Sequence, residues 1–226
     1  MKNTSFSTDN LQLVLSCVLA VAALHLVACE SLIHPSLEPF AAYQISLPAV
    51  TKEGLHARFF GVTTIQIDDG ETAIMIDGFF SRPGLAQLLF MKIEPNEASI
   101  DSALEKVPNL AAVLVAHSHY DHAMDSAVVA QRKKAVLFGT NSTANIGHGY
   151  TKLPSEQIQI PKHGEIRHFG RFSVQFLESP HSPDFYYPGE IAQPLKSPAL
   201  VGDYREGRNY SFLLRHEWGT ILIHPS

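Results

Sequence analysis

The stretch Leu110-Ala-Ala-Val-Leu-Val-Ala-His-Ser-His-Tyr-Asp-His122 decides the reading of this chain. Seven apolar residues, Leu110 to Ala116, run without interruption and then give way to three histidines and one aspartate within six positions. An apolar run of this length is too short for a free-standing helix and reads as a strand buried on both faces. In extended backbone His117 and His119 point the same way, because side chains alternate with period two. A tight turn after them brings Asp121 and His122 around a second position. Imidazole and carboxylate donors at such spacing suit zinc, iron or manganese. A surface loop that happens to be rich in histidine is the alternative reading of the same residues.

Working outward, Phe59 to Asp68 is rich in β-branched and aromatic residues and reads as a strand. Asp69-Gly70 is a turn signal, and Thr72 to Ile76 completes an opening hairpin that ends at Asp77-Gly78. Ile100 to Val107 has helical spacing after a Ser99 cap candidate, and Asp125 to Lys133 reads as a second helix. Ala135 to Phe138 is another buried strand. Ile158 to Ile160, Ile166 to Phe169 and Phe172 to Leu177 suggest a run of β-structure. A Pro- and Gly-rich stretch, Pro183 to Arg208, reads as a long loop before a last strand pair at Tyr210 to Leu214 and Thr220 to Ile223. Strands alternating with helices, with β-meanders at both ends, predict a layered α/β protein.

Composition narrows the chemistry. Of 226 residues, 45% are apolar and 17% charged, as in a globular protein with an apolar N-terminal segment. The net charge of -5 and the lack of a basic run give no nucleic-acid footprint, so a small-molecule substrate is expected rather than nucleic acid. The two cysteines, Cys17 and Cys29, both fall in the first thirty residues. The remainder can form neither a disulfide nor a thiolate site, and any metal must be held by His, Asp or Glu.

Leu11 to Ala28 is an apolar run broken only by Gln12, Ser16 and His25, and it reads as a secretory leader. A transmembrane anchor is the alternative, since the run is near the ~17-residue minimum for a span. Leu26-Val27-Ala28-Cys29 resembles the bacterial lipobox. The resemblance implies cleavage before Cys29, lipidation of that residue and a membrane-anchored lipoprotein. Glu30 leans toward the periplasmic face of the outer membrane. The organisation expected is a leader at 1–28, a Pro-containing tether at 29–53 and one domain at 54–226.

The pattern His117-x-His119-x-Asp121-His122 resembles the HxHxDH signature of the metallo-β-lactamase superfamily. The resemblance implies a four-layer αββα sandwich and hydrolysis by a metal-activated water. Ile74 to Gly78 looks like the family's second strand, ending in an aspartate, Asp77, that supports the metal shell; a plain turn residue is the alternative. Ser179-Pro180-His181-Ser182-Pro183 looks like the segment that supplies a third histidine, which in isolation would read as a loop residue. By the same resemblance His117, His119 and His181 hold a first metal, and Asp121 and His122 belong to a second metal or to the water. Asp121 is the catalytic candidate, to orient that water or shuttle its proton. Zinc is expected, as one or two ions, with iron or manganese as alternatives. The substrate would be an ester, lactone, phosphodiester or amide, and the fold does not choose among them.

The sequence departs from the family near its end. Thr220 to Ser226 looks like the strand before a bridging aspartate, but His224 or Ser226 occupies that region. A domain incomplete at the C-terminus is therefore expected, with a non-catalytic metal-binding or scaffolding lipoprotein as the competing reading and a single-metal hydrolase as a third. Asp203 reads as a turn residue rather than the missing ligand. Arg205 or Arg208 would meet an anionic substrate group, or else be solvated loop charges. Phe79 and Phe80 wall the pocket or pack in the core. His148, His163, His168 and His216 lack ligand spacing and read as surface or capping residues, and Trp218 as packing near a turn.

Overall fold

The computed structural model describes residues 38–43, 54–183 and 186–225. The leader at 1–28 lies outside the described residues, as does most of the tether, within which Glu38–Tyr43 form a 3-10 helix. The chain divides into two compact units, Met1–Ala49 and Val50–Ser226, and the candidate site lies in the second.

Six strands make the first sheet: β1 (His56–Gly61), β2 (Thr64–Asp68), β3 (Ala73–Ile76), β4 (Leu110–Leu114), β5 (Val136–Phe138) and β6 (Ile158–Gln159), in spatial order of sequence. The first three pair antiparallel and the rest parallel. The second sheet is antiparallel, with β7 (Ile166–Phe169), β8 (Phe172–Ser179), β9 (Asn209–His216) and β10 (Gly219–Ile223) in consecutive order. The expected single strand from Phe59 to Asp68 is instead two. Gly61 and Val62 adopt positive φ of 98° and 54° and reverse the chain between β1 and β2.

Among the described residues, five α-helices interleave with these strands: α1 (Leu85–Phe90), α2 (Glu97–Leu104), α3 (Tyr120–Ala123), α4 (Ser126–Lys133) and α5 (Asn141–Gly149). Helix α2 starts earlier than its spacing suggests, because Asn96 is the cap and Ser99 donates its N–H to the side-chain Oδ1 of Asn96 at 3.1 Å. Sequence reasoning missed α5, whose Asn-Ser-Thr-Ala-Asn-Ile-Gly-His-Gly composition is poor in helix formers. Packing overrides propensity there. Ala144 and Ile146 are buried, and a Cβ at Gly147 would stand 2.8 Å from Ile158 Cδ1 and 3.2 Å from Leu137 Cδ2, so the glycine eases the close approach of the helix to β5 and β6.

Strand β4 explains why its sequence is apolar throughout. Ala112, Leu114 and Ala116 enter a core between the two sheets, with Ile74, Ile76 and Phe138 opposite Phe172, Phe176 and Phe212. Val113 and Val115 enter a second core against the helices, with Ile100, Leu104, Val128 and Ile146. Each such aliphatic side chain contributes about 1.5–3 kcal/mol by leaving water. The expected sandwich is therefore present. Among the described residues, helices cover one face of the first sheet and none covers the outer face of the second, where Leu222 stays exposed.

Candidate metal centre

Strand β4 ends at the boundary between the two sheets, and three hydrogen bonds fix the loop that follows. Ala116 N–H donates to Asp77 Oδ1 at 2.8 Å, Ser118 N–H to the Glu206 carbonyl at 2.9 Å, and Tyr210 N–H to the Ala116 carbonyl at 2.8 Å. The loop is thus held by β3 on one side and by the approach to β9 on the other. The chain then turns into α3, whose first intrahelical acceptor is the His119 carbonyl. That turn is what separates His117 and His119 from Asp121 and His122.

His117, His119 and His181 converge, their ligand atoms all within 4.8 Å of one another. His117 Nε2 stands 3.0 Å from His119 Nδ1 and 3.2 Å from His181 Nε2. Tetrahedral nitrogen ligands at ~2.0–2.1 Å from zinc lie about 3.3 Å apart, close to the spacing of His117 from each of its two partners. His117 is fully buried and its pKa is pushed far below the ordinary imidazole value, first by burial and then by the neighbouring His122, His119 and His181 rings. The neutral imidazole is the form that ligates metal. The donor set therefore fits a divalent ion.

His122 and Asp121 form a second group beside the first. The His117 and His122 ring centroids are 3.9 Å apart. His122 Nδ1 is 2.8 Å from Asp77 Oδ2 and 3.1 Å from Thr63 Oγ1, which leaves Nε2 on the Asp121 side, 3.9 Å from Asp121 Oδ2. Burial pushes the His122 pKa down, but the charge and hydrogen bond of Asp77, with Asp121 behind them, outweigh it and leave the pKa raised. Asp77 is wholly buried, in a left-handed conformation (φ 61°) that aspartate tolerates. It is both the strand-ending residue and the anchor of this loop.

The other sequence candidates separate. Asp203 accepts the Leu200 N–H at 2.8 Å and closes a 3-10 turn, as a turn residue does. Arg208 pairs with Glu178 at 2.8 Å and Arg205 donates to the Pro188 carbonyl at 3.0 Å, so both guanidinium groups are engaged at the surface. His224 Nδ1 lies 2.6 Å from Ser211 Oγ and is not part of the histidine trio. Of the two readings for His216, surface or capping residue, the structure favours capping: its ring accepts the Trp218 N–H at 3.3 Å, and its side chain is buried 3.2 Å from Asp69. Phe79 and Phe80 are buried, and Phe79 meets Tyr120 edge-on at 5.9 Å. Two residues beside the site escaped sequence reasoning. Asp125 accepts from the N–H groups of Phe80 and Ser81, both at 2.7 Å, and Asn209 sits at the start of β9 next to His117. Neither carries a local sequence signal, because each meets its partners only across elements distant in the chain.

This chain belongs to the metallo-β-lactamase superfamily, whose sequence model matches residues 57–190, more than half of its length. Members of the superfamily are typically metal-dependent hydrolases. Among solved structures the chain is similar to CmlA, a diiron β-hydroxylase from Streptomyces venezuelae (TM-score 0.46, 16% identity, covering 81% of this chain and 31% of that one). It is also similar to Igni18, a metallo hydrolase from the archaeon Ignicoccus hospitalis KIN4/I (TM-score 0.42, 15% identity, 74% and 58%). A third is the MIM-2 metallo-β-lactamase (TM-score 0.42, 12% identity, 70% and 52%). The chain thus spans less than two thirds of the length of each of these structures. No curated protein sequence matches it.

Proposed function

We propose that this protein is a metal-dependent hydrolase acting on a small ester, lactone, phosphodiester or amide-type substrate. The observation that carries the reading is the convergence of three imidazole nitrogens, from buried His117 and His119 and half-buried His181, beyond the end of β4. These three residues would hold the first ion, and Asp121 with His122 would contribute to a second. A bound zinc, or iron or manganese in its place, supplies Lewis acidity and lowers the pKa of water toward neutrality. Asp121, half-buried and with Oδ2 3.9 Å from His122 Nε2, would orient the attacking water and take up its proton. Tyr120, the residue before Asp121, packs edge-on against buried Phe79, and the Arg82 guanidinium lies 4.8 Å from the Phe79 ring centroid. Export as a lipoprotein anchored through Cys29 at the periplasmic face of the outer membrane accords with the lipobox-like Leu26 to Cys29. The net charge of -5 argues against nucleic acid as a partner.

Metal content of the full chain, measured by mass spectrometry under native conditions, tests the reading. One or two equivalents are expected, lost in His117→Ala and His181→Ala, with hydrolysis of a member of an ester, lactone, phosphodiester and β-lactam panel. A chain that takes up no metal on reconstitution is not a hydrolase of this kind. Membrane fractionation of wild type against Cys29→Ala tests the anchor, and equal partition of the two would refute it.

A further inference from the structure

Asn209 opens β9 where the second sheet crosses to the metal loop. The Tyr210 N–H donates to the Ala116 carbonyl at 2.8 Å, so the Asn209–Tyr210 peptide abuts the one that precedes His117. The Asn209 side chain is buried. Its Nδ2 donates to Ser179 Oγ at 3.0 Å and toward the Pro180 carbonyl at 3.4 Å. A carbonyl only accepts, which settles which end of the amide carries the hydrogens. Ser179 and Pro180 are the two residues before His181. Ser179 Oγ also accepts from Ser211 Oγ at 2.9 Å, so the segment is gripped from two sides. The other end of the amide, Oδ1, is shut away from solvent with no hydrogen-bond partner, and so is His117 Nδ1. Two orphaned buried atoms of complementary character, on neighbouring residues, are uncommon in a folded protein.

We infer that Asn209 is a positioning residue for the metal centre: its amide oxygen accepts the Nδ1 proton of His117, while its amide hydrogens hold the Ser179–Pro180 segment that carries His181. The first contact selects the tautomer whose Nε2 lone pair faces His119 and His181. The second sets the approach of His181 to the same point. One side chain from the second sheet thereby aligns a ligand from the β4 end with a ligand from the β8 end. Partners of this kind behind ligand histidines change metal affinity by about 10–100-fold when removed.

The inference rests on the metal reading above, and the test separates the two. Zinc affinity is measured by competition with a chromogenic chelator for the full-length wild type, Asn209→Leu and Asn209→Asp. The His117 tautomer is read from nitrogen–proton NMR correlations in the metal-free protein. Wild type is expected to carry the proton on Nδ1. Asn209→Leu should lose about 10–100-fold in zinc affinity and its His117 signal should move toward the other tautomer. Asn209→Asp keeps an acceptor for His117 and should recover part of the affinity. Zinc affinity within twofold of wild type in Asn209→Leu, with an unchanged tautomer, overturns the inference and leaves the hydrolase reading standing. Equal losses in both variants, with a lower metal-free melting temperature and no tautomer change, reduce Asn209 to a structural residue and also overturn it. A wild type that binds no zinc overturns both readings.

Discussion

Asp77 Oδ2 lies 2.8 Å from His122 Nδ1, while Asp77 Oδ1 accepts the Ala116 N–H at the same distance. One buried carboxylate thus ties the end of β3 both to the backbone before His117 and to the ring of His122. Asp77→Ala should cost about 1–3 kcal/mol for each group left unsatisfied, read by urea titration. Asp77→Asn is the sharper test. Its oxygen must stay on Ala116 N–H, so its NH₂ faces His122 Nδ1 and forces the proton onto Nε2. We expect a folded protein that binds less metal than wild type. An unchanged metal content would mean that His122 Nε2 is not a ligand.

Asp125 fastens the segment after β3 to the N-terminus of α4. It accepts from Phe80 N–H, Ser81 N–H and, at 2.6 Å, Ser81 Oγ, which itself accepts from Asn96 N–H. Asp125→Ala strands these donors and should cost about 3 kcal/mol or more. The loss is read by urea titration, and the Phe79 N–H, held by Thr64 Oγ1 at 2.8 Å, should keep its partner. A variant with wild-type stability would show that water replaces the carboxylate.

Asp69 gives a pH dependence remote from the metal. Burial works to raise its pKa, but the N–H groups of Thr72 and Glu71, then His216 and Arg171, together leave it below the ordinary value of 3.8. A lowered carboxylate pKa stabilises the fold fully above its unfolded value, and the benefit is lost as pH falls through the folded value. Wild type should therefore lose more stability than Asp69→Asn on acidification below about pH 4. Parallel stability curves for the two proteins would exclude Asp69 as a contributor.

Metal removal should lower the melting temperature, because an ion bound only by the native state adds stability by mass action, about 2.7 kcal/mol at a hundredfold excess over Kd. The shift should vanish in His119→Ala. A chelator that leaves the wild-type melt unchanged would place the histidine trio outside metal binding.

The histidine loop was legible because its signals are local. Ten consecutive positions from Val113 to His122 contain a strand's burial and a ligand set's spacing, and the same stretch implied a strand that ends at the site. The opening β-structure, α4 and the last strand pair were legible for the same reason, from apolar periodicity and turn residues. Errors arose where conformation depends on neighbours. The Gly61-Val62 reversal divides what reads as one strand, and α5 forms from weak helix formers because Ala144 and Ile146 have a core to enter.

By itself, then, the sequence determined the class of fold, the absence of thiol chemistry from the domain and the residues able to meet a metal. Residue type and short-range spacing suffice for these. Only the tertiary structure decided that His181, from a strand end 64 positions away, reaches 3.2 Å from His117. It alone turned Asp77 toward His122, engaged Arg205 and Arg208 elsewhere, and set Asn209 against the segment that precedes His181. These are contacts between distant segments, fixed by how the two sheets pack, and no local pattern encodes them.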